Sequence, residues 1–234
     1  MKGRINSIET MSCVDGPGIR IVIFFQGCSL RCVYCHNPET WNVSDGYEVS
    51  VDEVLEKIFR YKNYFKNLGG VTFSGGEPLL QPQFLLELLK KCKQNEIHTC
   101  IDTAGVGLGH YQELLKYTDL VLYDVKHITD VGYMNVTGRN MKETLKFIQA
   151  LKDIDTEVWI RQVVVPNITD SEKYFSNFKE YISEIPNVTK VELLPYHTMA
   201  IEKYKNLKIP YKLVGIPDMN IDLCRQYQEK YFRN

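Results

Sequence analysis

Short runs of β-branched and other apolar residues alternate along the chain with segments whose apolar residues recur at helical spacing. The runs predict six strands: Ile21–Phe25, Gly70–Phe73, His98–Asp102, Leu120–Val125, Glu157–Val165 and Lys190–Leu194. Strand–helix alternation of this kind predicts an α/β fold with parallel strands and right-handed crossovers. Because about six β/α units fall short of the eight in a closed barrel, we expect a partial TIM-like barrel with one open side. A flat doubly wound sheet is the alternative.

Capping signals mark the beginnings of several helices. Ser50–Glu53 and Thr169–Glu172 both have the form of a capping box, and Pro82 suits a first helical turn. The helix after Pro82 is expected to bury one stripe, formed by Phe84, Leu85, Leu88, Leu89 and Cys92. Cys92 is therefore interpreted as a small core residue. Residues 218–232 predict a closing helix, and the chain length favours one domain over residues 1–234.

Charge and composition exclude several classes of function. The 28 basic and 29 acidic residues give a net charge of −1 without a basic block, so nucleic-acid binding is not expected. The N-terminus lacks the apolar core of a signal peptide, and the longest strongly apolar run, Ile21–Phe25, is too short to span a bilayer. Seven unevenly spaced cysteines do not suit a disulfide scaffold. We therefore expect a cytoplasmic protein whose thiols stay reduced.

Three of the cysteines are clustered, at Cys28, Cys32 and Cys35. The spacing is C-x3-C-x2-C, and no fourth cysteine follows nearby. Iron–sulfur cubanes are held by thiolates, normally four, so three ligands would leave one iron open for chemistry. The alternative is a structural zinc site with His36 or a distant cysteine as the fourth ligand. Zinc sites usually show two paired ligand clusters, which favours the iron–sulfur interpretation here.

The other polar clusters follow predicted strands. Gly75-Gly76-Glu77 comes after the second strand, Asp102 ends the third, Asp124 and Lys126 lie at the end of the fourth, and His197 follows the sixth. Active sites of β/α barrels are built at the carboxyl ends of the strands. Two glycines also let the backbone approach a ligand closely. The sequence therefore predicts that these segments meet the cysteines at one mouth.

These motifs resemble the radical S-adenosylmethionine (SAM) enzymes, through the cysteine triplet with Tyr34 before its last member and through Gly75-Gly76-Glu77. The resemblance narrows to the activating enzymes of glycyl-radical proteins, and within them to those that act on pyruvate formate-lyase. The segments that carry this are Asp15–Arg20, Tyr34–Trp41, Trp159–Pro166 and Glu192–His197. The resemblance extends from about Gly3 to the predicted C-terminal helix.

The resemblance implies a [4Fe-4S] cluster on Cys28, Cys32 and Cys35, with the fourth iron open to SAM. It assigns to SAM binding Tyr34, Cys35, His36, Gly75, Gly76, Glu77, Asp102, Asp124, Val125, Lys126, Arg161 and His197. Asp15 and Arg161 join the cysteines as expected catalytic residues. A monovalent cation is expected near Asp102 and Asp124.

Several of these residues have simpler interpretations. His36 could be a free surface histidine, Asp102 could cap the next helix, and Asp124 with Lys126 could be a structural ion pair. Arg161 lies within an apolar run and needs a carboxylate partner, either that of the cofactor or Asp15.

The implied reaction is reductive cleavage of SAM to a 5′-deoxyadenosyl radical, which takes a hydrogen atom from a glycine of pyruvate formate-lyase. Flavodoxin or ferredoxin is the implied electron donor. Activation of another glycyl-radical enzyme is the alternative partner assignment. The rival classes are a radical enzyme acting on a small molecule, such as a deazaguanine synthase, an electron carrier and a zinc-stabilised binding module.

Overall fold

The computed structural model describes residues 1–233, which form one eight-stranded sheet. Its strands are β1 (Lys2–Ser12), β2 (Arg20–Phe25), β3 (Tyr47–Ser50), β4 (Gly70–Gly75), β5 (His98–Thr103), β6 (Leu120–Asp124), β7 (Glu157–Val164) and β8 (Val188–Pro195). The spatial order is β3-β1-β2-β4-β5-β6-β7-β8. Neighbours from β2 to β8 are parallel, and within the described residues the two edges of the sheet do not pair. The predicted partial barrel with six parallel strands is confirmed.

Two strands were not predicted, β1 and β3. Both are antiparallel: β1 pairs with β2 on one side and with β3 on the other. Neither strand contains a continuous apolar run. Strand β1 buries Gly3 and Ile5 and leaves the rest of its length partly or fully exposed, and no residue of β3 is buried. An antiparallel edge can face water on one side, so its strands carry many polar residues. That composition hid them from a search for buried strands.

Within residues 1–233, eight α-helices connect and cover the strands: α1 (Val51–Phe65), α2 (Pro82–Gln94), α3 (Tyr111–Leu115), α4 (Asp130–Thr137), α5 (Lys142–Leu151), α6 (Glu172–Ser183), α7 (Ile201–Asn206) and α8 (Ile221–Phe232). Helix α2 buries the predicted stripe, and Cys92 is fully buried within it, as expected. Within residues 1–233, no helix has the length and apolar character needed to cross a membrane.

Pro82 begins α2 as predicted, and of the two predicted capping boxes one is correct and the other is wrong. Ser50 and Glu53 form the reciprocal capping box at the start of α1. Helix α6 begins instead at Glu172 with Ser171 as its cap. The Thr169 hydroxyl is occupied elsewhere, since it donates to the Val163 carbonyl at 3.0 Å and accepts from the Val165 amide. The nearer serine therefore caps the helix while the threonine stabilises the turn after β7.

The loop between β1 and β2 packs against β4 and is held by Arg20. This side chain is fully buried, and it donates to the Thr72 hydroxyl at 2.6 Å and to the carbonyls of Val71 and Pro17. Thr72 in turn donates to the Asp15 carbonyl at 2.6 Å. Buried guanidinium donors are satisfied in this way by groups that lie far apart in the sequence. The Asp15–Arg20 segment is thus attached to β4.

Candidate active site

A cavity of about 220 Å³ lies at the carboxyl ends of the parallel strands. It brings together twelve of the residues predicted from the sequence: Cys28, Cys32, Tyr34, Cys35, His36, Gly75, Gly76, Glu77, Asp102, Asp124, Lys126 and Arg161. They come from five different strand ends or the loops that follow them. The expectation that these segments meet at one mouth is correct.

Three predicted residues do not line this cavity. The Asp15 carboxylate accepts a hydrogen bond from the Ser12 hydroxyl, at the end of β1. Val125 is buried, and its amide donates to the Arg161 carbonyl at 2.9 Å. His197 lies behind His36, with the two rings stacked at a centroid distance of 4.0 Å. His36 is therefore packed against a partner rather than free on the surface.

The loop that carries the three cysteines, residues 28–35 (the cysteine loop), is positioned by helix α4. The amides of Arg31 and Val33 donate to the carbonyls of Thr137 and Val136, at 2.8 and 2.9 Å. These carbonyls belong to the last turn of α4, where no intrahelical donor is available to them. The end of the helix and the loop between the cysteines therefore satisfy each other. On the other side, the Tyr204 hydroxyl donates to the Cys35 carbonyl at 3.0 Å.

The three cysteines are free thiols that are largely buried. Burial raises the pKa of all three thiols, that of Cys32 to about 12. A thiolate in such a place needs positive charge, which bound iron supplies. Within residues 1–233 no three His, Cys, Asp or Glu side chains converge tightly enough for a single metal ion. A cubane fits better, because each thiolate binds a different iron and the sulfurs stand farther apart.

Two buried polar atoms beside the cavity lack partners in the part of the chain that the structure describes. They are the Tyr34 hydroxyl and Nδ1 of His197. Buried polar groups are nearly always hydrogen-bonded, so an unsatisfied one indicates a missing partner. The donor set of three thiols together with these atoms suits an iron–sulfur cluster and a polar organic cofactor.

The Gly75-Gly76 turn requires residues without a side chain. Gly75 has φ of +111°, and a Cβ there would stand 2.3 Å from the Phe25 amide nitrogen. A Cβ on Gly76 would stand 2.3 Å from the Gly27 carbonyl oxygen. The turn is thus pressed against β2 and the segment that leads into the cysteine loop. This close approach leaves backbone groups, not side chains, on the cavity wall.

Glu77 is committed to contacts within the protein. Its carboxylate accepts from the Thr103 hydroxyl at 2.6 Å, the Ala104 amide at 3.0 Å and the Leu79 amide at 3.2 Å. It is 1% exposed. Burial raises the pKa of this carboxyl to about 7 in spite of those donors. Glu77 therefore braces the end of β4 against the end of β5.

This raised pKa predicts that the apoprotein loses stability as the pH rises. Between its ordinary pKa of 4.5 and the folded value of about 7, the folded state binds more protons than the unfolded state. The free energy of unfolding should fall by about 3 kcal/mol over this range through Glu77. Glu77→Gln, which mimics the protonated carboxyl, should lack that component in denaturant titrations from pH 4.5 to 8. Equal slopes in both proteins would contradict the assignment.

Five charged side chains form a network across the ends of β5 to β8, and all of them except Glu192 line the cavity. Lys126 donates to Asp124 at 2.7 Å, and Arg161 donates to Glu192 at 3.2 Å with Asp102 at 3.9 Å. Burial and the charge of Asp124 raise the pKa of Asp102 to about 6. Asp102 accepts from the Ser74 hydroxyl at 2.6 Å and does not cap a helix. Within the protein the carboxylates next to Arg161 are those of Glu192 and Asp102, so Asp15 as its partner was wrong, whereas the carboxylate of the cofactor stays a prediction.

Comparison with known proteins identifies the family. Residues 22–178 match the model of the Radical SAM superfamily. A pyruvate formate-lyase-activating enzyme of Clostridium pasteurianum is 54% identical over 232 residues, covering 99% of this chain and 97% of that protein. One of Staphylococcus epidermidis is 47% identical, covering 92% and 90%. The chain belongs to the family of pyruvate formate-lyase-activating enzymes. Family membership makes it a radical SAM enzyme, and not an electron carrier or a zinc-binding module.

Solved structures agree with this family assignment. A domain of a pyruvate formate-lyase-activating enzyme from Bacteroides vulgatus superposes with a TM-score of 0.55 at 26% identity, over 70% of this chain and 94% of that one. Streptococcus suis SuiB bound to S-adenosylmethionine superposes with a TM-score of 0.62 over 89% of this chain and 47% of that one. At 16% identity the second likeness shows the fold alone.

Sequence reasoning missed several residues that build the site of this family member. Ser74 and Thr103 hold the carboxylates of Asp102 and Glu77, and Glu192 holds Arg161. Ser74 directly precedes the Gly75-Gly76-Glu77 motif, and Glu192 opens the Glu192–His197 segment. A buried strand that carries a charge was the available signal, because such a charge needs a partner. The contribution of α4 left no signal in the sequence.

Proposed function

We propose that this enzyme introduces the glycyl radical into pyruvate formate-lyase, using a [4Fe-4S] cluster and SAM. The observation that carries the proposal is the convergence of three free thiols, a side-chain-free turn and a charged network on one cavity. The names of the relatives support the choice of partner. Another glycyl-radical enzyme is the alternative partner, and the test below separates the two.

Cys28, Cys32 and Cys35 would hold the cluster, whose fourth iron would face the cavity. When bound, the reduced cluster and SAM supply a 5′-deoxyadenosyl radical that takes a hydrogen atom from the glycine of the partner. The chain's own residues bind and orient: the Gly75-Gly76 backbone would face the amino acid end of SAM, and His36 would lie on the adenine side. The buried walls exclude water from the reactive species.

The positively charged side chains of the network would face the carboxylate of SAM. Nη1 of Arg161 donates no hydrogen bond to any group among residues 1–233, whereas Nε donates to Glu192 and Nη2 to the Val14 carbonyl. Lys126 is neutralised in part by Asp124. A monovalent cation near Asp102 and Asp124 stays a prediction, since Lys126 and Arg161 already bring positive charge to these carboxylates.

The remaining parts of the proposal are the electron donor, the compartment and the extent of the domain. A flavodoxin or ferredoxin would supply the electron. All seven cysteines are free, which supports a reducing compartment, the cytoplasm. One sheet carries the cysteine loop and every charged group of the cavity, which supports a single radical SAM domain over residues 1–234.

Arg161→Lys should weaken SAM binding while leaving the cluster in place. Lysine keeps the charge but loses the planar fork that can hold Glu192, Val14 and a ligand carboxylate together. We expect the dissociation constant of SAM, measured by calorimetry on reconstituted protein, to rise about ten-fold or more. Lys190→Arg, outside the cavity and also paired with Glu192, is the control. Unchanged affinity in Arg161→Lys would refute Arg161 as a ligand.

Electron paramagnetic resonance on anaerobically reconstituted, reduced protein tests the whole proposal. A cluster signal that changes when SAM is added, followed by a glycyl-radical doublet after addition of pyruvate formate-lyase, is the expected result. A SAM-sensitive cluster without the doublet would keep the radical chemistry and refute the partner. Zinc in place of an iron–sulfur cluster would overturn the proposal from the cysteine triplet onward.

A further inference from the structure

A second groove, of about 480 Å³, shares Cys28 with the cofactor cavity. Its wall includes Arg31, Trp41, Val43 and Arg139, and we call it the Cys28 groove. Cys28 and Trp41 line both the groove and the cavity. The groove therefore reaches the cysteine loop from outside the cavity in which SAM and the substrate glycine would bind.

The Cys28 groove is positively charged. None of its lining residues is acidic, and both of its arginines are exposed. Within residues 1–233, neither guanidinium lies within 4.0 Å of a carboxylate. Two unpaired arginines in one depression attract an acidic surface and steer its approach.

Both arginines are held in place by the cysteine loop itself. Nη1 of Arg31 donates to the Cys28 carbonyl at 2.7 Å, and its guanidinium lies 4.9 Å from the centre of the Trp41 ring. Nε of Arg139 donates to the Ser29 carbonyl at 3.2 Å. The positive charge is therefore fixed next to the first cysteine and does not move freely in solvent.

The same groove presents apolar surface beside the charge. Val43 is 62% exposed, and it lies two residues after the half-buried Trp41. Arginine and aromatic residues with an exposed aliphatic neighbour have the composition of a protein interface rather than that of an ordinary solvated surface. This combination suits a protein partner better than a small anion, which would need no apolar contact.

We propose that the Cys28 groove is the docking site of an acidic protein that donates one electron to the cluster. The inference rests on the proposed function, which requires an electron from outside. One electron leaves the donor and enters the cluster, so the donor is oxidised and no bond forms or breaks. If the electron enters through the cysteine loop at Cys28, the mouth of the cavity stays free for the protein substrate.

The sign of a single charge in the groove tests this inference without changing the hydrogen bonds that Arg31 and Arg139 make with the cysteine loop. Val43→Glu should slow SAM cleavage driven by reduced flavodoxin, an acidic flavoprotein, about ten-fold at low salt, whereas Val43→Lys should not slow it. Cleavage driven by dithionite should match the wild type in both variants. Val214→Glu, the same change at a valine 81% exposed outside the groove, is the control.

Three other outcomes would overturn the proposed docking site. Equal slowing by Val43→Glu and Val43→Lys would indicate a steric effect instead of recognition of an acidic partner. Wild-type rates in both variants, or equal slowing by Val214→Glu, would remove the groove as the docking site. If the wild-type protein does not cleave SAM with dithionite, that result would contradict the proposed function itself. Arg139→Glu gives an independent second variant, read as the ratio of flavodoxin-driven to dithionite-driven rates in the same preparation.

Discussion

Cys32→Ala is expected to abolish both iron–sulfur incorporation and cleavage of SAM. Cys32 is the most buried of the three clustered thiols, at 8% exposed, and it lines the cavity. A cubane with two protein ligands left would have two irons without a thiolate, so the cluster should not persist. Iron and sulfide analysis after anaerobic reconstitution, together with the visible absorption of the cluster, measures the first effect directly.

The matched control is Cys92→Ala, because it removes the same sulfur from a fully buried core position. Cys92 lies on α2 and does not line the cavity. Cys92→Ala should lose some stability through the cavity it leaves, while keeping full iron content and activity. Full iron content in Cys32→Ala would contradict the cluster assignment, and iron loss in both variants would point to unfolding.

Gly75→Ala is expected to destabilise the protein by about 3 kcal/mol and to impair SAM binding strongly. Gly75 combines a positive φ of +111° with a close approach of 2.3 Å from its added Cβ to the Phe25 nitrogen. Because the atoms that would have to give way belong to the backbone of β2, the strand and the cysteine loop after it must shift. Denaturant titration measures the stability, and calorimetry on reconstituted protein measures the SAM affinity.

Gly109→Ala separates the cost of the backbone conformation from the cost of the contact. Gly109 also has a positive φ, +87°, but a Cβ there meets nothing within 4 Å. This control should lose about 1 kcal/mol from the left-handed conformation and keep normal SAM affinity. Equal losses in the two variants would show that close packing of the turn against β2 contributes nothing.

The parallel strands β2, β4, β5 and β6 could be predicted because they are buried on both faces. Residues such as Ile21 and Val121 are fully buried, and a strand of this kind is apolar along its whole length. The position of the candidate active site could be predicted from the order of these segments, because polar residues that directly follow parallel strands lie at one edge of the sheet. Neither argument applies to β1, whose half-exposed residues resemble those of a loop.

The choice between equivalent capping residues could not be predicted from local sequence. Thr169 and Ser171 both precede the helix and both carry a hydroxyl that can cap it. The contacts of Thr169 with Val163 and Val165 settle which one is available. These contacts depend on the path of the chain after β7, which the capping pattern does not contain.

The sequence by itself determined the spacing of the three clustered cysteines, the six parallel strands and the edge of the sheet at which polar residues collect. Each of these depends on residue type and on short spacings, which a linear chain displays directly. Only the tertiary structure decided the partners: Glu192 for Arg161, Thr103 for Glu77, and the arginines that surround Cys28. Many carboxylates and hydroxyls in the chain could satisfy a buried charge, and only the packing of distant segments selects one.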